Sequence, residues 1–159
     1  MTSVPESLQL GDFYHIGVAV RDIDEGIRRL AALGIITGPV FELSVPTLYR
    51  GREAESRVKV VSAQLGGIPI ELVEPSHGES SIATFLRDRG EGIQHIAYDV
   101  DDLKGAMERA EALGAETEWL VSDEDGPAVA FLGPDAFFGV CIELRRKQPP
   151  INLHASVRP

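Results

Sequence analysis

Four residues of this chain pair off by type and position: His15 with His95, and Glu71 with Glu143. The histidines sit in "DFYHIGVAV" and "GIQHIAYDV", while each glutamate centres an Ile-Glu-Leu triplet, Ile70–Leu72 and Ile142–Leu144. Two imidazoles and two carboxylates make a donor set for zinc, nickel, cobalt, manganese or iron, with positions left open for substrate. A lone strand histidine is more often packed or solvated than a ligand, and a glutamate ending a strand is usually a rim residue. What sets these four apart is that both types recur in step. His77 and His154 have no such counterpart and read as solvated.

The recurrence extends to the segments that carry them. "HIGVAVRDIDEGIRRLAALG" (His15–Gly34) and "HIAYDVDDLKGAMERAEALG" (His95–Gly114) share eight of twenty positions without a gap. The matches include turn, cap and apolar positions together, which marks an internal duplication. Each copy opens with alternation: Ile16, Val18 and Val20 against His15, Gly17 and Ala19, then Ile96, Tyr98 and Val100 against His95, Ala97 and Asp99. The bulky face suits a covering helix, and the small residues beside each histidine leave a hollow on the other face. Asp22 is the expected N-cap of the following helix, with Glu25 completing a capping box, and Gly34 stops it. Asp102 and Gly114 repeat the plan.

Three strands are expected after each helix, near Val40–Val45, Arg57–Leu65 and Ile68–Val73, and near Thr117–Val121, Ala128–Leu132 and Val140–Leu144. "LGGIPIEL" reads as a hairpin turn, and "LGPDAFFGVCIEL" as a longer version. Strand parity then drives Glu71 and Glu143 to the face that bears the histidines. Buried carboxylates cost several kcal/mol unless paired or bound to a cation, and two together repel. A divalent cation resolves both problems. The fold expected is α+β, with two tandem βαβββ modules over residues 1–79 and 92–146. A linker helix within 80–91 joins them, and an extended tail covers 147–159.

Bulk composition narrows the function. A net charge of −10 disfavours nucleic-acid backbones. No apolar run is long enough for a membrane span, and the first residues lack a secretion signal. The single cysteine, Cys141, fits a reducing cytoplasm. The expected partner is a small molecule.

On these motifs the chain resembles the vicinal oxygen chelate superfamily, which includes glyoxalases, bleomycin-resistance proteins and extradiol dioxygenases. The resemblance implies that the paired modules form a cupped mixed sheet around a metal site, with the superfamily's ligand positions falling on His15, Glu71, His95 and Glu143. Within it, "LGGIPIELVEPSHGESSIATFLRDRGEGIQHIAYDVDDL" and "VAFLGPDAFFGVCIEL" are most similar to methylmalonyl-CoA epimerases. That resemblance implies a metal-dependent isomerase that removes the α-proton of a 2-carboxyacyl-CoA thioester through a metal-stabilised enolate. Epimerisation prefers two acid/base groups. Glu143 would be one, and Glu71, or Glu53 or Glu55 folding in from a long loop over 46–57, the second. Arg50, Arg52, Arg57 and Lys59 would form a basic collar for coenzyme A phosphates, with Arg145, Arg146 and Lys147 as another patch. The resemblance also implies a homodimer.

The chain departs from the epimerase pattern in several places. Gln94-His95 replaces a His-His pair, "FLGP" replaces Phe-Leu-His-Pro, and "VPTLYRGREAESRVKV" replaces a shorter connection. No acid stands at Lys59 or Val60, where some relatives carry a catalytic carboxylate. The alternatives are a glyoxalase I-like lyase, a dioxygenase or a secondary-metabolism enzyme on the same metal site. A third reading is a non-catalytic antibiotic-binding protein.

Overall fold

The computed structural model describes residues 7–147, so the expected tail and His154 lie outside the described residues. Eight strands and three α-helices follow in the order β1 (Phe13–Ala19), α1 (Ile23–Ala32), β2 (Phe41–Tyr49), β3 (Arg52–Leu65), β4 (Ile68–His77), α2 (Ser81–Arg89), β5 (Gly92–Val100), α3 (Leu103–Ala112), β6 (Thr117–Asp123), β7 (Gly126–Leu132) and β8 (Cys141–Arg146). Each module is βαβββ, as the duplication requires. The sheet runs β1-β4-β3-β2-β6-β7-β8-β5 and closes on itself. The β1–β4 and β5–β8 pairs are parallel and the rest antiparallel. No described helix is long and apolar enough to cross a membrane.

The duplicated helices form for the reasons their sequences carry. Asp22 and Asp102 each accept a backbone N–H three residues on, from Glu25 and Gly105. The capping box at Glu25 is not made reciprocally. Its carboxylate turns to Arg28 and Arg29 on the exposed surface, where two guanidiniums outcompete one backbone N–H. Gly34 and Gly114 take φ of 79° and 83° just past the helix ends. Helix α1 packs Ile23 and Ile27 on Val61 and Leu72, and α3 packs Leu103 and Ala106 on Leu132 and Leu144. Both lie on the outer wall of the barrel. The inner cluster, with Leu43, Val58, Val73, Trp119 and Phe131, is closed by Ile82 and Leu86 of α2.

The segment 46–57 corrects the sequence reading. It is not a loop: β2 and β3 pair in register from Phe41↔Val60 to Tyr49↔Arg52, turning at Arg50 and Gly51. Those two residues have φ of 50° and 74°, the left-handed pair that a tight hairpin with right-handed strand twist demands. Pro46 and the dense charges read as a loop, yet the alternation persists beneath them. Leu43, Thr47 and Tyr49 are buried while Glu42, Ser44, Pro46 and Leu48 are exposed. Pro46 lies just before β2 meets β6, so its missing N–H leaves that ladder intact. The hairpin lengthens β2 enough to pair Thr47–Tyr49 with Trp119–Val121 of β6. Three residue pairs thereby turn the expected cup into a closed barrel.

Candidate metal centre

The four paired residues converge inside the barrel through two rows of cross-strand neighbours. In one row Glu71, Gly17, His95 and Cys141 stand side by side on β4, β1, β5 and β8. In the other, His15, Ala97 and Glu143 do so on β1, β5 and β8. The duplication relates Gly17 to Ala97, and each separates a histidine from a glutamate. A small residue between two large ones lets the side chains lean together over it. At Gly17 this is obligatory, because a Cβ there would coincide with the His95 imidazole.

The two Nε2 atoms of His15 and His95 approach to 2.9 Å. Glu143 Oε2 lies 2.9 Å from His95 Nε2 and 3.4 Å from His15 Nε2, and Glu71 Oε1 is 3.9 Å from His15 Nε2. Ligands sharing one cation through bonds of about 2.1 Å sit roughly 3.0 Å apart in a cis-octahedral pair and roughly 3.4 Å apart in a tetrahedral one. The observed spacings fall in that range, with Glu71 slightly outside. Two imidazole lone pairs aimed at one point repel unless a proton or a cation stands between them. The donors therefore fit a divalent ion of the zinc, cobalt, nickel, manganese or iron class. His15, Glu71 and His95 alone place their ligand atoms within 4.8 Å of one another.

Electrostatics of the cation-free cluster agree with this assignment. Burial penalises the Glu143 carboxylate, but hydrogen bonds and charge from His15 and His95 outweigh it and hold its pKa far below the usual range. Burial also works against the His15 imidazolium, and Glu143 and Glu71 overcome it, raising its pKa. Glu71 is pushed up, chiefly by burial, and Glu143 adds repulsion. Arg145 stacks on Tyr14, 3.5 Å from the ring centre, and approaches Glu143 Oε1 at 3.8 Å. It faces the carboxylate oxygen that the histidines do not use.

Gln94 is the residue whose role the sequence left unassigned. The β1–β5 pairing shifts register between Gly17 and Val18, whose partners are His95 and Ile93. Gln94 is the extra residue of this bulge, which lets two consecutive side chains, Gln94 and His95, both be buried. His95 Nδ1 donates to Gln94 Oε1 at 2.6 Å, the arrangement in which a cation can take the proton's place on Nε2. Two polar residues in succession on an otherwise alternating strand were the available signal. In Gln94→Leu the affinity for a divalent ion is expected to fall about 10–100-fold, read by chelator competition, with the circular dichroism spectrum retained. Unchanged affinity would show that the amide does not orient the ligand.

The structure separates the remaining candidates from the cluster. Glu53 and Glu55 are exposed on β3 and do not fold in, because no loop exists there to carry them. Arg57 and Lys59 alternate with Val58 and Val60, which line the inner cavity, so both basic side chains point outward. Lys59 bonds Glu74 at 3.1 Å and Arg57 lies 3.5 Å from Glu55. Arg50 and Arg52 flank the hairpin turn, and Arg50 meets Glu118 at 2.9 Å. Arg146 is paired with Asp123, and Lys147 with Asp12. His77 is exposed, as expected, but it ends β4, which runs past the strand expected near Ile68–Val73. Cys141, buried beside the cluster, has its thiol pushed up to about 12 by burial, which makes it a poor ligand or nucleophile.

A cavity of about 70 Å³ opens from Glu71, His95 and Glu143 into the barrel. One water needs roughly 10–15 Å³ by the same measure, so this space takes a small organic head group. The rest of its wall is apolar, from Leu43, Val45, Val58, Val60 and Phe131 among others. Among the described residues no other ionisable side chain lines it.

Comparison with known proteins agrees with this geometry. The family model described as the Glyoxalase/Bleomycin resistance protein/Dioxygenase superfamily matches residues 14–131. The ethylmalonyl-CoA/methylmalonyl-CoA epimerase of Cereibacter sphaeroides is 31% identical over 144 residues, covering 86% of this chain and 98% of that one. The uncharacterized protein YqjC of Bacillus subtilis is 28% identical, over 82% of this chain and 88% of its own. Among solved structures, methylmalonyl-CoA epimerase from Mycobacterium tuberculosis superposes with a TM-score of 0.58 at 27% identity. That match covers 93% of this chain and 95% of the other.

Proposed function

The chain belongs to the Glyoxalase/Bleomycin resistance protein/Dioxygenase superfamily, and we propose that within it this protein is a metal-dependent isomerase of 2-carboxyacyl-CoA thioesters. The observation that carries the reading is the convergence of His15, Glu71, His95 and Glu143 at one edge of a largely apolar cavity. These four residues would hold the ion. A divalent cation bound there supplies Lewis acidity toward two substrate oxygens, offsetting the negative charge that develops when the carbon between them loses its proton. A 2-carboxyacyl thioester presents a carboxylate and a thioester carbonyl around one acidic carbon, which matches that demand. The C. sphaeroides relative is named for this substrate class.

The protein's own groups do the rest. Glu143 and Gln94 orient His15 and His95 so that both Nε2 atoms point at one position, where they would hold the ion against which the head group is seated. The apolar wall excludes water from the reacting carbon and leaves Glu71 and Glu143 as the carboxylates within reach of its proton. They enter from β4 and β8, in different rows of the sheet, which suits removal on one face and return on the other. Arg50 and Arg52, at the hairpin tip, are the candidates for coenzyme A phosphates. The homodimer and cytoplasmic setting expected from the sequence remain part of this proposal.

The test incubates metal-loaded protein with methylmalonyl-CoA in heavy water. Deuterium enters the α-carbon at an enzymatic rate in the wild type and not in His95→Ala. No exchange by fully loaded protein would reject the isomerase. It would favour the second reading, a glyoxalase-type or other lyase acting on a different oxygen chelate, for which the absence of an acid at Lys59 and Val60 speaks. Glu71 as a fourth donor speaks against a dioxygenase, whose iron uses two histidines and one carboxylate.

A further inference from the structure

One polar side chain in the cavity wall is not used by the chemistry above. Trp119 of β6 lines the cavity and is 4% exposed. Its indole Nε1 is buried, and no hydrogen-bond acceptor lies within reach among the described residues. The indole N–H is a donor only, and buried tryptophans ordinarily find it a partner. Leaving such a donor unmatched costs about 1–3 kcal/mol. Its cavity neighbours Leu43, Val45, Val121 and Val129 are hydrocarbon and cannot accept.

Among the described residues three other buried side-chain nitrogens lack partners, and each differs from Trp119. Arg109 and Arg146 are bonded through their other guanidinium nitrogens. Gln94 Nε2 belongs to the amide already engaged with His95. None of these three lines the cavity.

The position of the indole defines what it could meet. Trp119 packs on Phe131 with ring centroids 4.9 Å apart, and Phe131 stands edge-on to His95 at 5.1 Å. The three rings form one wall running from the cation cluster into the cavity, and Trp119 is one ring beyond the residue that touches the cluster. An acceptor matched to it therefore belongs to a part of the substrate past its two chelating oxygens.

We propose that Trp119 is a specificity-determining residue whose indole N–H donates to a carbonyl oxygen of the substrate one ring's width from the chelating head. For the probe chosen here this rests on the acyl thioester reading. In a coenzyme A thioester the amide carbonyl nearest the sulfur stands in that relation to the reacting carbon. A bare dicarboxylate has the chelating head and no such oxygen.

Trp119 is the chain's single tryptophan, so one indole cross-peak reports on it directly in a proton–nitrogen correlation spectrum. Metal-loaded protein is titrated with methylmalonyl-CoA and, separately, with methylmalonate. The thioester moves the indole proton downfield and the dicarboxylate leaves it in place. In Trp119→Phe, which keeps the ring contact with Phe131, the KM for methylmalonyl-CoA rises about 10-fold, as expected for one lost hydrogen bond. Deuterium-exchange kcat stays within about twofold and metal content is unchanged.

An indole proton already downfield and hydrogen-bonded before ligand is added overturns the proposal, as does a wild-type KM in Trp119→Phe. Equal shifts with both ligands also overturn it. Exchange without indole movement rejects the role of Trp119 and leaves the isomerase standing. Indole movement without exchange does the reverse. A thioester that produces neither rejects both.

Discussion

In Glu143→Ala, metal-depleted and reloaded protein holds less than about a tenth of an equivalent of divalent ion, and α-proton exchange falls by about 10³-fold or more. The size of the effect follows from where Glu143 sits. Its Oε2 is the carboxylate oxygen nearest both Nε2 atoms, at 2.9 and 3.4 Å, and it is the carboxylate whose ionised form the cluster favours most strongly. Removing it takes away a negative ligand and leaves two imidazoles facing each other. Glu143→Gln separates charge from shape: the amide oxygen can still reach the ion but brings no charge and cannot take a proton. Metal retention by Glu143→Gln with exchange still lost would assign Glu143 to proton transfer as well as binding. Full metal content in Glu143→Ala would remove it from the site. Elemental analysis of the loaded protein and mass spectrometry of the exchanged thioester read the two effects independently.

The second large effect comes from a single methyl group. Gly17→Ala is expected to weaken divalent-ion binding by about 100-fold or more, because the new Cβ occupies the space of the His95 ring rather than merely loosening its support. Gly17 is not among the positive-φ glycines, so backbone strain is not the cause. Overpacking of this kind costs about 1–3 kcal/mol of stability, which thermal unfolding would detect. Ala97, the equivalent residue between His15 and Glu143, provides the control. Ala97→Gly enlarges the gap without obstructing either ligand and is expected to keep binding within about an order of magnitude. Equal binding by Gly17→Ala and wild type would mean that His95 is not held over residue 17.

Much of this arrangement was legible in the sequence because it is periodic. The 80-residue echo of His15 in His95, the alternation around each, and the Asp caps at Asp22 and Asp102 were local signals that tertiary packing had no reason to override. Parity alone placed Glu71 and Glu143 on the histidine face. The small size of Gly17, Ala19 and Ala97 announced the hollow into which those side chains lean. Two features escaped. The β2–β3 hairpin was hidden because Pro46, Gly51 and a dense run of charges imitate a loop, while the alternation that makes it a strand is polar on its outer face and includes Thr47 and Ser56 inside. Its closure on β6 depends on a long-range pairing that no local pattern encodes. Gln94 was missed because a bulge breaks the period-two rule at that residue, turning two neighbours inward where alternation allows one. The parity that turns the glutamates inward turns Arg57 and Lys59 outward, since they alternate with Val58 and Val60 on the same strand.

The tail of the site that remains apolar is informative about chemistry. Val58 and Val60 stand on the cavity wall and Glu53 and Glu55 are exposed on β3, so the carboxylates that line the cavity are Glu71 and Glu143.

X-ray absorption spectroscopy of the protein loaded with one equivalent of zinc or cobalt tests the candidate metal centre most directly. The account predicts a shell of nitrogen and oxygen donors at about 2.0–2.2 Å, with the outer-shell scattering of two imidazoles. In His15→Ala and in His95→Ala, one imidazole contribution would be lost. An ion ligated without imidazole, or a spectrum indifferent to both substitutions, would place the metal elsewhere and contradict the account.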